Sequence, residues 1–174
     1  PFMFFLSAWQ MLLGRVANSK DVVIGAPVAG RSRGETQEII GFFVNLLLLR
    51  LNLSGNPTVQ TVLQRAKEMV LSGFTHQDMP IDHLMDVMAF ERQPGYPPLA
   101  QSMFQLLNMD KDQQGALGNG DMALEPLAQP HVTARMDLVL GVAKIDDQYQ
   151  LSMEYHTYLL HESTVVDLLQ CYLR

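Results

Sequence analysis

The run Ile40-Gly41-Phe42-Phe43-Val44-Asn45-Leu46-Leu47-Leu48-Leu49-Arg50 constrains the fold of this chain more than any other stretch. Ten of its residues are apolar, Gly or Asn, and it closes on a single Arg. A run this apolar, yet too short to cross a membrane, predicts a strand buried on both faces of a sheet. Asn45 stands out inside it. A buried amide left without partners costs about 1–3 kcal/mol. Asn45 is therefore expected either to brace a neighbouring loop or to face a cavity.

A length of 174 residues suits one domain with a sizeable core. The net charge of −6 argues against a nucleic-acid surface, since the largest basic grouping is Arg31-Ser32-Arg33. No apolar run approaches the roughly 18 residues of a membrane span. Cys171 is the single cysteine, so an internal disulfide is excluded and a Cys-based zinc site is implausible. A lone thiol is compatible with a reducing, cytoplasmic compartment. The first residues begin at once in a helical apolar pattern, and the last apolar stripe stops at Arg174 without a cap. Both ends are expected to be boundaries of a fragment.

Residues 2–17 read as a helix and Asp21–Val28 as a buried strand, followed by a polar loop over 31–38. Residues 42–52 read as the second strand. Asn56 and Pro57 suit an N-cap and first-turn proline. Val59, Val62, Leu63, Ala66, Met69 and Val70 then repeat at helical spacing until Gly73. A short helix over 80–88 is expected to bury Ile81, Leu84, Met85 and Met88. A Pro/Gly loop follows over 91–98, then a strand over Ser102–Met109, a loop over 110–120 and a short edge strand over 122–126. Met136–Ile145 and Gln148–Tyr155 alternate as a hairpin about Asp146-Asp147. Ser163 is expected to cap the last helix. The switch between period 2 and period 3.6 makes the fold class α/β: an α+β sandwich in which helices pack on a mixed sheet.

The polar residues admit plain and functional readings. His76-Gln77-Asp78 could form an oriented base, but a turn in which Asp78 caps the helix after Pro80 is the stronger expectation. Arg31, after Gly30, could steady an anionic group, although pairing with Glu35 or Glu38 is commoner for such an Arg. Arg135 and Asp137 share one face of a strand, where an ion pair is the default. His156 and His161 lack partners at metal-ligand spacing, so no metal is expected. Leu117-Gly118-Asn119-Gly120-Asp121 is a turn signal and not a phosphate loop. No Ser sits in a G-x-S-x-G setting.

Five segments, in order, resemble the condensation domains of nonribosomal peptide synthetases. Residues 23–31 resemble that family's strand and G-R turn. Residues 40–50 are similar to I-G-x-F-V-N-T-x-x-x-R, and 76–84 to H-Q-D-x-P-F-E-x-L. Residues 97–105 resemble a loosened N-P-L-F-Q segment, and 135–138 the K-F-D-L strand start. The resemblance implies one lobe of a chloramphenicol-acetyltransferase-like fold. It marks Gly41, Phe43, Val44, Arg50, His76, Gln77, Asp78, Pro80, Arg135 and Asp137 as structural motif residues. Arg31 and Asn45 become candidates for the tunnel and for the floor loop over 29–41.

The family's catalytic signature H-H-x-x-x-D-G is missing. None of His76, His83, His131, His156 and His161 adjoins another His or precedes Asp-Gly. The resemblance thus implies the C-terminal lobe over 1–174, truncated at both ends, with no catalytic residue of its own. It implies a tunnel wall, a floor loop and a docking surface for peptidyl carrier proteins, used in amide-bond formation between carrier-bound thioesters. Substrates would arrive on phosphopantetheine arms, so no cofactor is bound directly. The N-terminal lobe would be a partner, and self-association through the bare lobe interface is expected. The alternatives are a non-catalytic scaffold module of the same lobe, or a lobe of an ester-forming acyltransferase.

Overall fold

A computed structural model describes residues 1–89, 99–108, 133–134, 136–145 and 147–174. The helix α1 (Phe2–Val16) leads into strand β1 (Asp21–Val28). A single 3-10 turn at Gly34–Thr36 precedes β2 (Asn45–Asn52). The helices α2 (Val59–Thr75) and α3 (Ile81–Val87) follow. Strands β3 (Ser102–Asn108), β4 (Leu138–Ile145) and β5 (Gln148–Tyr155) come next, and α4 (Glu162–Leu173) ends the chain.

Among the described residues, the strands form one five-stranded sheet in the order β2-β1-β3-β4-β5. The outer pairs β1/β2 and β4/β5 are antiparallel, while β1/β3 and β3/β4 are parallel, so the sheet is mixed. The helices α1 and α2 lie against β1 and β2, and α4 against α1 and β5. One sheet face packs under them. Ile24 and Ala26 of β1, Leu49 and Leu51 of β2, Phe104 of β3 and Leu140 of β4 are all buried there. Leu6 and Trp9 reach the same core from α1.

Trp9 and Gln10 each place a hydrogen-bond donor in that core, and each donor finds an acceptor. The Trp9 indole donates to Ser102 Oγ at 3.1 Å. Gln10 Nε2 donates to the Leu49 carbonyl at 2.8 Å, tying α1 to β2. The Tyr172 hydroxyl donates to the Phe5 carbonyl at 2.9 Å and so fastens α4 to α1.

Several sequence expectations change. The run 40–50 is not buried on both faces: β2 begins only at Asn45 and is an edge strand whose inward residues alternate with half-exposed ones. Ahead of it, Ile40 and Phe42 are 101% and 90% exposed. The strand buried on both faces is β4, where Leu138 through Val142 are all buried. It sits between β3 and β5, so it has neighbours on both edges.

The N-cap of α2 is Thr58, whose hydroxyl accepts from the Thr61 N–H, and not Asn56. Asn56 instead has φ of 48°, a left-handed turn residue. Asn tolerates that conformation better than most residues. The helix α2 passes through Gly73 to Thr75. The absent side chain at Gly73 lets the helix approach β2, since a Cβ there would lie 2.9 Å from Leu49 Cδ2. In α3 only Met85 is buried, and Met88 is exposed. Pro80 is its N-cap, and Asp78 contributes no capping bond. Ser163 is inside α4, whose N-cap is His161 without a side-chain bond. The expected loops at 91–98 and 110–120, the edge strand at 122–126, and residues Met109, His131, Arg135 and Asp146 lie outside the described residues.

Candidate functional site

The polar motif residues gather around the loop between β1 and β2. Gly30 makes the turn out of β1 with φ of +63°, and a Cβ there would fall 1.8 Å from the Phe43 carbonyl oxygen. Only glycine allows both the left-handed backbone and that approach. The turn carries Arg31 across the loop, with its guanidinium 4.5 Å from the Phe43 ring centre. Its N–H groups donate to the carbonyls of Thr36, Ile39 and Gly41, the last two at 2.8 and 3.3 Å. These carbonyl oxygens are its partners, rather than Glu35 or Glu38. A planar guanidinium with five donors can satisfy several scattered carbonyls at once. Arg31 thus shapes the loop from within.

Asn45 opens β2 opposite Val28. Both hydrogens of its amide nitrogen are used: Nδ2 donates to the Gln77 carbonyl at 2.8 Å and to the Met79 carbonyl at 2.7 Å. A second tie runs beside it, from Ser32 Oγ to Asp78 Oδ1 at 3.1 Å. The loop and the turn at 76–80 are therefore strapped together twice. His76 and Asp78 do not pair with each other. His76 Nδ1 lies 2.9 Å from the Ser72 carbonyl of its own helix. The alignment that an oriented base needs is absent between them. Asp78 accepts from Ser32 through Oδ1, and the N-cap position of α3 belongs to Pro80 instead.

Arg50 leaves the outward side of β2 and grips Asp21 through two nitrogens, with Nη2 2.6 Å from Oδ2. The hydrogen bonds from Arg50 hold the Asp21 carboxyl below its ordinary range. The pair is exposed, so water screens most of its strength. Asp137 presents its carbonyl to the His156 N–H at 3.0 Å. Its expected partner Arg135 lies outside the described residues.

On the sheet face away from the helices lies an open cleft of about 730 Å³. Its floor includes Gln105, Val139, Gly141 and Ser152, and its rim includes His156 and Tyr158. His156 Nδ1 is buried and has no hydrogen-bond partner among the described residues. Sequence reasoning passed over these residues, weighing His156 only as a metal ligand. A usable signal was present in Gly141, a lone glycine inside the run Leu138-Val139-Leu140-Gly141-Val142, because an interior strand glycine marks a close approach. Among the described residues, no group of three His, Cys, Asp or Glu is placed to hold a metal ion.

The sequence profile of the condensation domain matches residues 2–174. The chain belongs to the condensation-domain family. It is 38% identical over 175 residues to a linear gramicidin synthase of Brevibacillus parabrevis, covering 99% of this chain and 3% of that protein. A solved four-domain nonribosomal peptide synthetase bound to AMP and glycine superposes with a TM-score of 0.87 at 18% identity, over 97% of this chain and 14% of that one. The X-domain from teicoplanin biosynthesis superposes at 0.83 with 23% identity, over all of this chain (100%) and 40% of that one. The condensation-domain chain therefore has a chloramphenicol-acetyltransferase-like fold and spans a small part of the synthetase it matches. Among its described residues, no helix is long and apolar enough to cross a membrane.

Proposed function

We propose that this chain is the C-terminal lobe of a peptide-bond-forming condensation domain in a nonribosomal peptide synthetase. The observation that carries the reading is its partial coverage. All of the chain superposes on 40% of an isolated X-domain, while the sequence lacks the H-H-x-x-x-D-G signature altogether. The rest of such a domain would supply the base. This lobe would supply a wall, a floor loop and a docking surface, with Arg31 and Asn45 holding the loop and turn in place. In that role neither residue touches the reacting atoms.

The substrates would be aminoacyl or peptidyl thioesters on phosphopantetheine arms of carrier proteins. The amine on one carrier attacks the thioester carbonyl on the other, the new amide forms, and the thiol leaves. The lobe itself then binds no cofactor, and it works in the cytoplasm, where the carriers are. Its nearest partners are the N-terminal lobe and the carriers. Without the N-terminal lobe, the bare apolar face favours self-association.

The test is a reconstitution. The purified chain is incubated with two loaded carrier proteins, and then again with the N-terminal lobe added in trans. The expectation is no dipeptide from the chain alone and dipeptide once both lobes are present, because a base must sit within hydrogen-bond reach of the proton it moves. Dipeptide from the chain alone, above an uncatalysed control, would overturn the assignment of the chemistry to the other lobe. Ester product in preference to amide would favour a related acyltransferase.

A further inference from the structure

The loop over 29–44 leaves and re-enters the sheet at neighbouring points, because Val28 and Asn45 are paired across β1 and β2. A surface loop whose ends meet is packed by its own side chains. Here Arg31 supplies the packing, through the carbonyls of Ile39 and Gly41 and the face of Phe43. None of residues 29–44 is buried. Segments that bury so little apolar surface open more easily than the core does. What holds this loop to the molecule is therefore its base. Three consecutive residues of the turn at 76–80 grip that base. The Gln77 and Met79 carbonyls accept from Asn45, where the loop re-enters the sheet. Between them Asp78 Oδ1 accepts from Ser32, two residues past Gly30 on the side where the loop leaves. The turn runs straight into α3, which lies against β2 and has Met85 as its one buried residue. The seat of Met85 thus fixes where the turn stands.

We propose that residues 77–79 form a clasp on the base of the loop, and that the seating of Met85 decides whether the clasp is shut. The loop and α3 then open and close as one unit, although they are separated by all of β2 and α2 in sequence. Ser32, Asn45 and Asp78 are positioning residues in this scheme, and none of them acts on a ligand. The proposal goes beyond the condensation reading and does not depend on it. Under that reading the loop is the floor of the tunnel, and α3 sets how firmly the floor is held.

The experiment follows amide exchange by NMR in this chain. Hydrogen-bonded amides report on both ends of the unit: Thr36 and Gln37 in the loop, Leu84 and Met88 in α3. Leu138 through Val142 of β4 report on the core. Met85→Ala should speed exchange at Leu84 and Met88 roughly 10-fold or more, the scale of truncating a buried side chain. It should speed Thr36 and Gln37 by a similar factor and leave β4 as it was. Coupling between two sites is reciprocal. Arg31→Gln, which loosens only the loop directly, should therefore speed Leu84 and Met88 as well. In the clasp-free variant Ser32→Ala/Asn45→Ala, a further Met85→Ala should act on α3 alone. If that variant does not fold, Ser32→Ala by itself should still shrink the factor passed to the loop. Where Met85→Ala disturbs β4, the milder Met85→Val carries the test. A loop that ignores the Met85 substitutions, or an α3 that ignores Arg31→Gln, would overturn the proposal. So would an effect that passes undiminished without the clasp, or one that spreads to β4 under Met85→Val as well. Parent Thr36 and Gln37 amides exchanging as fast as in an unstructured peptide would also overturn it, because a shut clasp must protect them.

Discussion

Asn45 Nδ2 ties the start of β2 to the turn at 76–80 beside the Ser32–Asp78 bond, and its two carbonyl partners belong to residues two apart on that turn. Replacing it by Leu leaves both carbonyls without a donor. Asn45→Leu should cost about 1–3 kcal/mol and should loosen the turn at 76–80 more than the loop at 29–41. A thermal midpoint equal to the parent's would show that the amide is no structural tie. Gly30 is a stricter case. Gly30→Ala must place a methyl group on the Phe43 carbonyl at a left-handed φ. The backbone strain alone is about 1–3 kcal/mol, and the clash adds to it. Soluble expression with an unchanged denaturation midpoint would contradict the geometry. At Asp21, the lowered carboxyl range has a definite sign. Its stabilising effect is present above the ordinary aspartate range and fades as pH falls through the lowered value.

At the scale of elements, α4 is held by Tyr172, which stacks edge-on against Trp9 with ring centres 5.8 Å apart. Burial pushes the Tyr172 hydroxyl above its ordinary range. The folded state thus keeps the proton more tightly than the unfolded chain. The stability this confers is complete below the unfolded value of about 10 and is lost as pH rises beyond it. Tyr172→Phe should therefore flatten the alkaline part of a stability-against-pH curve, while lowering stability at neutral pH by about 1 kcal/mol through the lost bond to Phe5. Identical alkaline slopes for parent and variant would refute that role. In β4, Leu140 is buried to 0% exposure. Leu140→Ala should cost about 2–5 kcal/mol by chemical denaturation, as truncations in closed cores do.

Across the whole molecule, helices cover one face of the sheet and the other carries the cleft. Ile40, Phe42, Val44 and Met79 also stand out from the strapped loop and turn. Under the proposed reading, these exposed apolar side chains belong to the surface that the other lobe covers. Sedimentation of the isolated chain should show self-association that weakens when the N-terminal lobe is added. A monomer at all concentrations would argue that the bare face needs no partner.

The local patterns of this chain were strong enough to determine a great deal on their own. Period-2 alternation located β5, the helical repeat of Val62, Ala66 and Val70 located the buried stripe of α2, and five ordered motifs pointed to the family. Local signals succeed there because the side-chain period follows directly from backbone geometry. They failed where a residue's role depends on what lies across the sheet. The sequence of 40–50 looked buried throughout, but burial depends on neighbours, and β2 has a neighbouring strand on one edge only. Arg31 looked ready for a carboxylate, yet the loop folds its own carbonyls around it. Asp78 looked like a cap, yet its side-chain partner is Ser32, 46 residues away in sequence. Gly141 and His156 carried no motif. Only the pairing of β3, β4 and β5 brings that glycine between Gln105 and Ser152, because long-range strand register is settled by packing of the whole sheet and not by any short stretch of chain.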